Sequence, residues 1–238
     1  MAIPLLNSGE EVVIVISKKI TSLLLLASGL FTMAVSASPT NDLNVQNEIN
    51  QFRSKAPGLS PKALQVGLEA YSKARQQGLD KQRVLTIVDF TKPSTARRLW
   101  VLDLNKHTVL FNDYVAHGQN SGANYANNFS DNPGSLASSL GVFLTESTYG
   151  GKHGYSLRVK GLDKGFNDKA ESRDIVFHRA DYATAQFAQA HGRLGRSWGC
   201  FAVIPAIADS LIHTIKDGTL VVAYYPDPSW LSKSQFLS

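Results

Sequence analysis

The sequence contains a single cysteine, Cys200, among its 238 residues. A lone cysteine excludes an internal disulfide, so Cys200 is either an inert buried thiol or a reactive one. The chain also lacks low-complexity segments, internal repeats and the His-Glu-x-x-His pattern of zinc metalloproteases. Apolar residues make up 43% of the chain and charged residues 18%, which is the composition of a globular protein and excludes a disordered one.

The few charged residues are unbalanced, with a formal net charge of +5 at pH 7. A basic protein outside the cytoplasm would be attracted to the anionic polymers of the cell envelope. The Lys and Arg residues are scattered, and no stripe of aromatic residues alternates with them. The sequence therefore gives no support for nucleic-acid binding beyond the basic charge itself.

An apolar run near the N-terminus predicts the destination of the chain. Lys18 and Lys19 precede the run from Ile20 to Val35, which ends in the small-residue pattern Val-Ser-Ala at positions 35–37. This pattern predicts a secretory signal peptide over residues 1–37, cleaved after Ala37. The alternative is a membrane anchor that is never removed, but the run is short for a stable span. The mature protein is thus expected without a stable membrane anchor, in the periplasm or cell envelope.

Residues 38–83 are predicted to form an N-terminal segment with one helix, and residues 84–238 the main domain. The helix runs from about Pro61 to Gln77, with Ser60 as its N-cap. From residue 84 onwards the apolar pattern changes to a period of two, which is typical of strands. The predicted strands are 84–90, 99–104, 108–111, 141–145, 155–159, 174–178 and 219–225.

Three further features complete the predicted pattern of the domain. A hairpin turn is expected at residues 105–107, with Asn105 suited to positive φ. Two helices are expected, one from Asp181 as its cap to about Ala190 and one from Pro205 to about Lys216. Because the helices do not alternate regularly with the strands, a doubly wound sheet is excluded and a mainly β (α+β) domain is predicted.

The surroundings of Cys200 favour a reactive thiol over an inert one. Gly199 allows a tight backbone turn, so that amide groups near the thiol can face a developing oxyanion. Arg196 and Ser197 lie nearby in the sequence, and positive charge lowers the pKa of a thiol. We therefore interpret Cys200 as a catalytic nucleophile, which also requires a general base.

Two histidines are candidates for this base. His178 ends the apolar strand pattern 174–178, where a rigid backbone would hold its side chain at the rim of a sheet. His191 follows a predicted helix and precedes Gly192, a place where a cation commonly stabilises the helix C-terminus. The rigidity argument favours His178, while His191 stays an alternative.

These residues match the pattern of a known family, in which a strand-end His is followed after a gap by Ser/Thr-x-Gly-Cys. In this chain the pattern is formed by His178, Ser197, Gly199 and Cys200. Other matching segments are His117-Gly118, Ser138–Gly141, Tyr149–Gly154, Ser156–Arg158, Asn167 and Arg173. The chain resembles the L,D-transpeptidase (YkuD-like) catalytic domain, and most closely its murein L,D-transpeptidase branch, from about residue 90 to 225.

The resemblance implies a fold and an activity. The expected fold is an L,D-transpeptidase-like β-sandwich or barrel with a few short helices and an N-terminal helix. The expected activity is acyl transfer on peptidoglycan stem peptides through a Cys200 thioester, with His178 as the base. Gly199 and Ser197 would form the oxyanion loop, and neither a cofactor nor a metal is implied.

The chain departs from the family pattern at two positions near Cys200, and these changes affect which residues would contact the substrate. The residue before Gly-Cys is usually His and here is Trp198, and an Arg that usually follows the Cys by two positions is replaced by Ala202. If that Arg holds the substrate carboxylate, its substitutes are Arg158, Arg173, Arg193 and Arg196. The further candidate substrate contacts are His117, Tyr149, His153, His191 and Trp198.

Three alternatives to a transpeptidase remain at this stage. Water in place of an amine acceptor would make the protein an L,D-carboxypeptidase. The changes at Trp198 and Ala202 suggest a second alternative, a wall-binding domain without turnover. The third is a zinc hydrolase, for which the available side chains are His178, Asp181, His191 and Cys200, a set without a recognised ligand spacing.

Overall fold

The computed structural model describes residues 44–237, so the predicted signal peptide lies outside the described residues. Five α-helices occur in this part of the chain: α1 (Val45–Arg53), α2 (Pro61–Gln76), α3 (Ala185–His191), α4 (Pro205–Ile215) and α5 (Pro228–Lys233). Its nine strands are β1 (Val84–Asp89), β2 (Leu99–Asp103), β3 (Thr108–Asp113), β4 (Val115–Ala116), β5 (Gly141–Gly151), β6 (Gly154–Gly161), β7 (Val176–Arg179), β8 (Phe201–Val203) and β9 (Leu220–Tyr224). None of the helices in residues 44–237 is long and apolar enough to cross a membrane.

The nine strands form one mixed sheet in the order β3-β2-β1-β9-β5-β6-β7-β8-β4. The two outermost strands, β3 and β4, are consecutive in the chain and separated only by Tyr114. The sheet therefore curls until its ends meet, which gives a nearly closed, barrel-like architecture. The predicted mainly β fold with a few short helices is confirmed.

Two parallel pairings interrupt the otherwise antiparallel sheet, β1 with β9 and β7 with β8. The β7–β8 pair is the one that carries the site. Its register places Phe177 opposite Phe201 and His178 opposite Ala202. The two phenylalanine rings stack with centroids 4.7 Å apart in the core, which fixes this register.

Helix α2 packs its apolar side onto the sheet and belongs to the same compact unit, residues 40–238. Ser60 caps the helix by accepting a hydrogen bond from the Ala63 N–H, as the sequence predicts. The helix approaches the sheet closely at Gly67, where a Cβ atom would lie 2.7 Å from Cδ1 of Ile87. A side chain at position 67 would thus require the Ile87 side chain to shift.

The structure corrects several predicted elements. The N-terminal segment has two helices in its described part instead of one, because α1 is present as well. In the β2–β3 turn the residue with positive φ is His107, not Asn105. Asp181 begins only a 3-10 turn, and Thr184 caps α3 by accepting from the Phe187 N–H. Strand β5 extends beyond the predicted range to Gly151, and the sequence analysis missed β4, β8 and α5.

Candidate active site

Cys200 directly precedes strand β8 and is half-buried. Its Sγ donates a hydrogen bond to the carbonyl oxygen of Asp174 at 3.4 Å. The backbone N–H of Val176, at the start of β7, faces the sulfur and stabilises its anionic form. The thiol is therefore held by the chain segment that leads into β7.

Burial raises the pKa of the Cys200 thiol, and this effect outweighs the stabilisation by the Val176 N–H and the charge of Arg173. The resting sulfur is accordingly protonated at neutral pH. Because a thiol is a poor nucleophile compared with its thiolate, this site requires a neighbouring base to remove the proton.

His178 lies on β7 opposite Ala202 of β8, which follows Cys200 by two positions. Side chains alternate along a strand, and paired residues of parallel strands point to the same side. Phe177 and Phe201 point into the core, so His178 and Ala202 face the opposite side, while the Cys200 sulfur contacts the segment that leads into β7. The sequence analysis placed His178 at an open rim, whereas the structure buries it to 3% exposure.

The hydrogen bonding of His178 determines its tautomer. Nδ1 lies 2.9 Å from the carbonyl oxygen of Arg179. Because a carbonyl oxygen only accepts, Nδ1 carries the proton and Nε2 holds the free lone pair. Burial lowers the pKa of His178, partly offset by the Arg179 hydrogen bond, and the nearby His153 lowers it further. The imidazole is neutral at pH 7, as a general base requires.

The turn before Cys200 is built around Gly199 and Ser197. Gly199 has φ of +122°, in the region that favours glycine, and a Cβ here would lie 2.8 Å from the Ala137 carbonyl oxygen. The Ser197 hydroxyl donates to the Cys200 carbonyl oxygen at 2.7 Å and accepts from the Gly199 N–H at 3.2 Å. The Gly199 amide is thus engaged within the turn, and Ser197 shapes the loop.

The buried side chain of Arg173 connects the long loop at residues 130–139 to the Gly199 turn. Its guanidinium donates to five acceptors in this loop: Ser130 O, Asp131 Oδ1, Ser135 Oγ, Ala137 O and Ser139 Oγ. Only 3% of its side chain is exposed. Arg173 contributes positive charge to Cys200, but with its donors occupied it is not placed to hold a substrate carboxylate.

His117 is also structural in its placement. The residue is fully buried, with Nδ1 2.7 Å from Nη2 of Arg98 and Nε2 3.3 Å from the Gly122 carbonyl oxygen. Burial and the Arg98 charge lower the pKa of His117 to about 4, so the ring is neutral and accepts from Arg98 through Nδ1. Because both ring nitrogens are engaged inside the protein, the predicted substrate contact by His117 is not supported.

The two arginines and the histidine that precede Cys200 in its loop make hydrogen bonds within the protein. Arg193 donates to the Leu194 carbonyl oxygen, and Arg196 donates to the carbonyl oxygens of Gln119 and Gly122. His191 ends α3, where its Nδ1 donates to the Phe187 carbonyl oxygen, so it stabilises the helix C-terminus and does not contact the thiol.

Trp198 is 71% exposed beside the nucleophile, where it can meet a substrate.

A cavity of about 290 Å³ adjoins the segment at Asp174 that contacts the thiol. Its lining residues are Tyr149, Arg158, Val159, Glu171, Asp174, Ile175 and Val176. The Arg158 guanidinium lies over the Tyr149 ring, 4.1 Å from its centroid. Among residues 44–237 no acceptor of a hydrogen bond or ion pair from Arg158 is present, in contrast to the other three arginines considered above.

Two contributors to the site were missed by the sequence analysis. Tyr182 follows β7, and burial together with the charge of Cys200 raises its pKa to about 12, so its phenol stays protonated near the sulfur. Its ring packs on Gly195, where a Cβ would lie 2.4 Å from the tyrosine Cβ. The second contributor is the Val176 N–H. Neither has a sequence signal, because a backbone amide has none and Tyr182 reaches Cys200 only through the fold.

The residues proposed for the zinc alternative do not come together as ligands. No group of three or more His, Cys, Asp or Glu side chains in the described part of the chain is arranged to hold a metal ion. His191, for example, is bound to its own helix.

The fold and this arrangement define a mainly β domain with a candidate cysteine–histidine site. The sequence profile of the L,D-transpeptidase catalytic domain family matches residues 55–224, and the chain therefore belongs to that family. No curated protein sequence matches the chain significantly.

Solved structures similar to this chain are L,D-transpeptidases at low sequence identity. The enzyme from Mycobacterium smegmatis is 15% identical, with 60% of this chain and 59% of that one covered and a TM-score of 0.38. The enzyme from Stackebrandtia nassauensis is 15% identical over 76% and 77% of the two chains, with a TM-score of 0.37. L,D-transpeptidase 3 from Mycobacterium tuberculosis is 13% identical over 60% and 61%, with a TM-score of 0.37.

Proposed function

We propose that this protein is a cysteine-dependent acyltransferase that acts on peptidoglycan stem peptides as an L,D-transpeptidase in the periplasm or cell envelope. The observation that supports it best is the position of Cys200 and His178 on neighbouring segments of the β7–β8 pair. Cys200 directly precedes β8, His178 lies on the adjacent strand β7, and the His178 tautomer leaves Nε2 unprotonated. Membership of the L,D-transpeptidase catalytic domain family supplies the reaction class.

The first half of the reaction forms a thioester. Nε2 of His178 takes the proton from Sγ of Cys200, and the sulfur attacks the carbonyl carbon of an L-to-D amide in a stem peptide. The carbonyl oxygen becomes an oxyanion, for which backbone amides at Cys200 and Val176 and the Tyr182 hydroxyl are the nearby donors. The carbon–nitrogen bond then breaks, and the leaving D-amino acid takes the proton from His178.

The second half transfers the acyl group. An amine of a second stem attacks the thioester carbon and loses a proton to His178, and the thiolate of Cys200 leaves and regains that proton. If water attacks instead, the product is a shortened stem, which is the carboxypeptidase alternative. Trp198, exposed next to the nucleophile, is a candidate contact for either stem.

The inactive wall-binding alternative and the transpeptidase make opposite predictions for the thiol. Purified protein would be incubated with disaccharide-tetrapeptides and, separately, with a carbapenem, and the products read by mass spectrometry. We expect cross-linked dimers from the wild type and a mass increment of one carbapenem on Cys200.

Variants assign the roles in this experiment. Cys200→Ala should abolish both turnover and the mass increment, while His178→Gln should slow turnover by about 10²–10⁴-fold, the usual contribution of a general base. His213→Gln, at an exposed histidine of α4, is the control and should behave as wild type. Full turnover by the Cys200→Ala protein would refute the proposal, and shortened monomers without dimers would favour the carboxypeptidase.

A further inference from the structure

His153 lies in the turn between β5 and β6, and its imidazole stacks on that of His178. The ring centroids are 4.4 Å apart, and the ring planes are inclined by 26°. The sequence analysis treated His153 as a candidate substrate contact because of its Gly-flanked loop. The structure instead places it against the base.

This stacking completes the confinement of the His178 ring. The β7 backbone fixes its Cα, and the Arg179 carbonyl oxygen holds Nδ1 at 2.9 Å. A ring held only by one hydrogen bond can still rock about that bond. With His153 covering one face, rocking toward that face is blocked, which restricts the directions open to Nε2.

The same contact affects the charge of the base. Two stacked imidazoles resist becoming cations together, because like charges at this distance repel. The other charged or titratable groups around the pair are Lys152, Arg179, Asp181, Tyr182 and Cys200. None of these charged side chains is among the causes that shift the pKa of His178, which burial and His153 lower and the Arg179 carbonyl oxygen raises.

We propose that His153 is a positioning residue that holds the His178 imidazole in the orientation and neutral state that a general base needs. The proposal rests on the proposed function, since it assigns His178 the role of base. A positioning role for His153 differs from a role as a substrate contact in one testable respect. A positioning residue changes the titration of His178 in the absence of any substrate.

The first measurement therefore needs no turnover. The ring-proton resonances of His178, assigned by their absence in His178→Gln, would be followed by NMR from pH 4 to 8. In His153→Phe the stacking surface remains but the second titrating ring is gone, so we expect His178 to titrate at higher pH than in wild type, by about half a unit or more. His213→Phe should leave the wild-type titration unchanged.

The second measurement is the rate of Cys200 acylation by a carbapenem as a function of pH. His153→Phe should stay within about threefold of wild type at pH 8, with the acid limb of its profile moved to higher pH. His153→Ala, which removes the stacking surface, should be slower by about tenfold at pH 8, because an unconfined base is misdirected.

Identical His178 titration in wild type and His153→Phe would overturn the proposal. So would an unshifted acid limb together with equal rates for the Phe and Ala variants. A protein without any acylation would refute the proposed function instead, and the NMR titration would still decide the role of His153.

Discussion

The arginines near Cys200 divide two tasks between them. The buried Arg173 side chain donates its hydrogen bonds to the 130–139 loop. It therefore stabilises the loop and adds positive charge near the sulfur. Arg158 lies over the Tyr149 ring and lines the cavity that Asp174 and Val176 border. A guanidinium held by an aromatic face keeps its N–H donors available for a carboxylate, which it matches in geometry. We therefore propose Arg158 as the residue that would recognise a substrate carboxylate.

The first residue-scale prediction concerns the charge of Arg158. Arg158→Gln should raise the KM for a stem tetrapeptide with a free C-terminal carboxylate by about tenfold or more, the loss expected for a charge-assisted hydrogen bond. The same variant should match wild type on the C-terminally amidated tetrapeptide, which lacks the carboxylate charge. Steady-state kinetics on the two peptides give the comparison.

Lys160→Gln is the matched control for this prediction. Lys160 lies two residues along β6 on the same exposed face as Arg158 but does not line the cavity. The Lys160→Gln variant removes one positive charge, as Arg158→Gln does, but leaves the proposed contact between Arg158 and the carboxylate in place. An equal loss on free and amidated peptides would show that Arg158 acts other than through the carboxylate.

At this scale the sequence predicts a cysteine and a histidine as the reacting groups but not the partners of these side chains. Cys200 and His178 stood out because their neighbours, glycines and an apolar strand, are local in sequence. The choice among the four arginines could not be made, since it depends on acceptors far along the chain. Ser130 and Ser139, for instance, lie 43 and 34 positions from Arg173.

At the scale of elements, the short strands and helices depend on contacts with residues that are distant in sequence. Strands β4 and β8 have two and three residues, too few for a period of two to be recognised. Helix α1 is largely polar, and Glu48 and Phe52 meet His107 of the β2–β3 turn. Such elements are stabilised by tertiary packing more than by local propensity, so the sequence analysis missed them.

Helix α5 depends in the same way on one buried carboxylate. Asp163 accepts hydrogen bonds from the Trp230 indole and the Ser234 hydroxyl, at 3.0 and 2.7 Å, and from the Val142 N–H of β5 at 2.8 Å. It thereby joins the C-terminal helix to the central sheet. All three partners are donors, so an ionised carboxylate satisfies them together.

The element-scale prediction follows from this junction. Asp163→Ala should lower the free energy of unfolding by about 3 kcal/mol or more, because buried donors are left unpaired. Urea unfolding followed by tryptophan fluorescence would measure it. Asp209→Ala, at an exposed position of α4, should change the stability by about 0.5 kcal/mol or less. If the two variants were equally stable, Asp163 would not anchor α5.

For the molecule as a whole, the decisive feature is the closure of the sheet. The Arg98 side chain donates to the Val115 carbonyl oxygen of β4 through Nε and Nη2, at 3.0 and 2.8 Å, and to the Lys92 carbonyl oxygen. It is fully buried, and burial lowers its pKa to about 9, which still leaves it charged at neutral pH. A two-residue edge strand of the nearly closed sheet is thus held in place by a side chain.

The neutral state of His117 is a condition of this closure. Its Nδ1 accepts from Arg98, so a protonated ring would set two cations together inside the protein. The pKa of His117 falls from 6.5 to about 4 on folding, and the unfolded chain therefore binds a proton at a pH where the folded chain does not. The associated stability is fully present above pH 6.5 and is lost as the pH falls to about 4.

The whole-molecule prediction is a pH-dependent loss of stability that His117 causes. The wild type should lose about 2–3 kcal/mol from this residue between pH 7.5 and 4.5, at about 1.4 kcal/mol per pKa unit. His117→Gln should be less stable at pH 7.5, with a gap to wild type that narrows toward pH 4.5, as measured by urea unfolding across that range. His213→Gln, at an exposed histidine, should follow the wild-type curve in parallel. A constant gap between wild type and His117→Gln across the range would mean that His117 does not have to be neutral for the sheet to close.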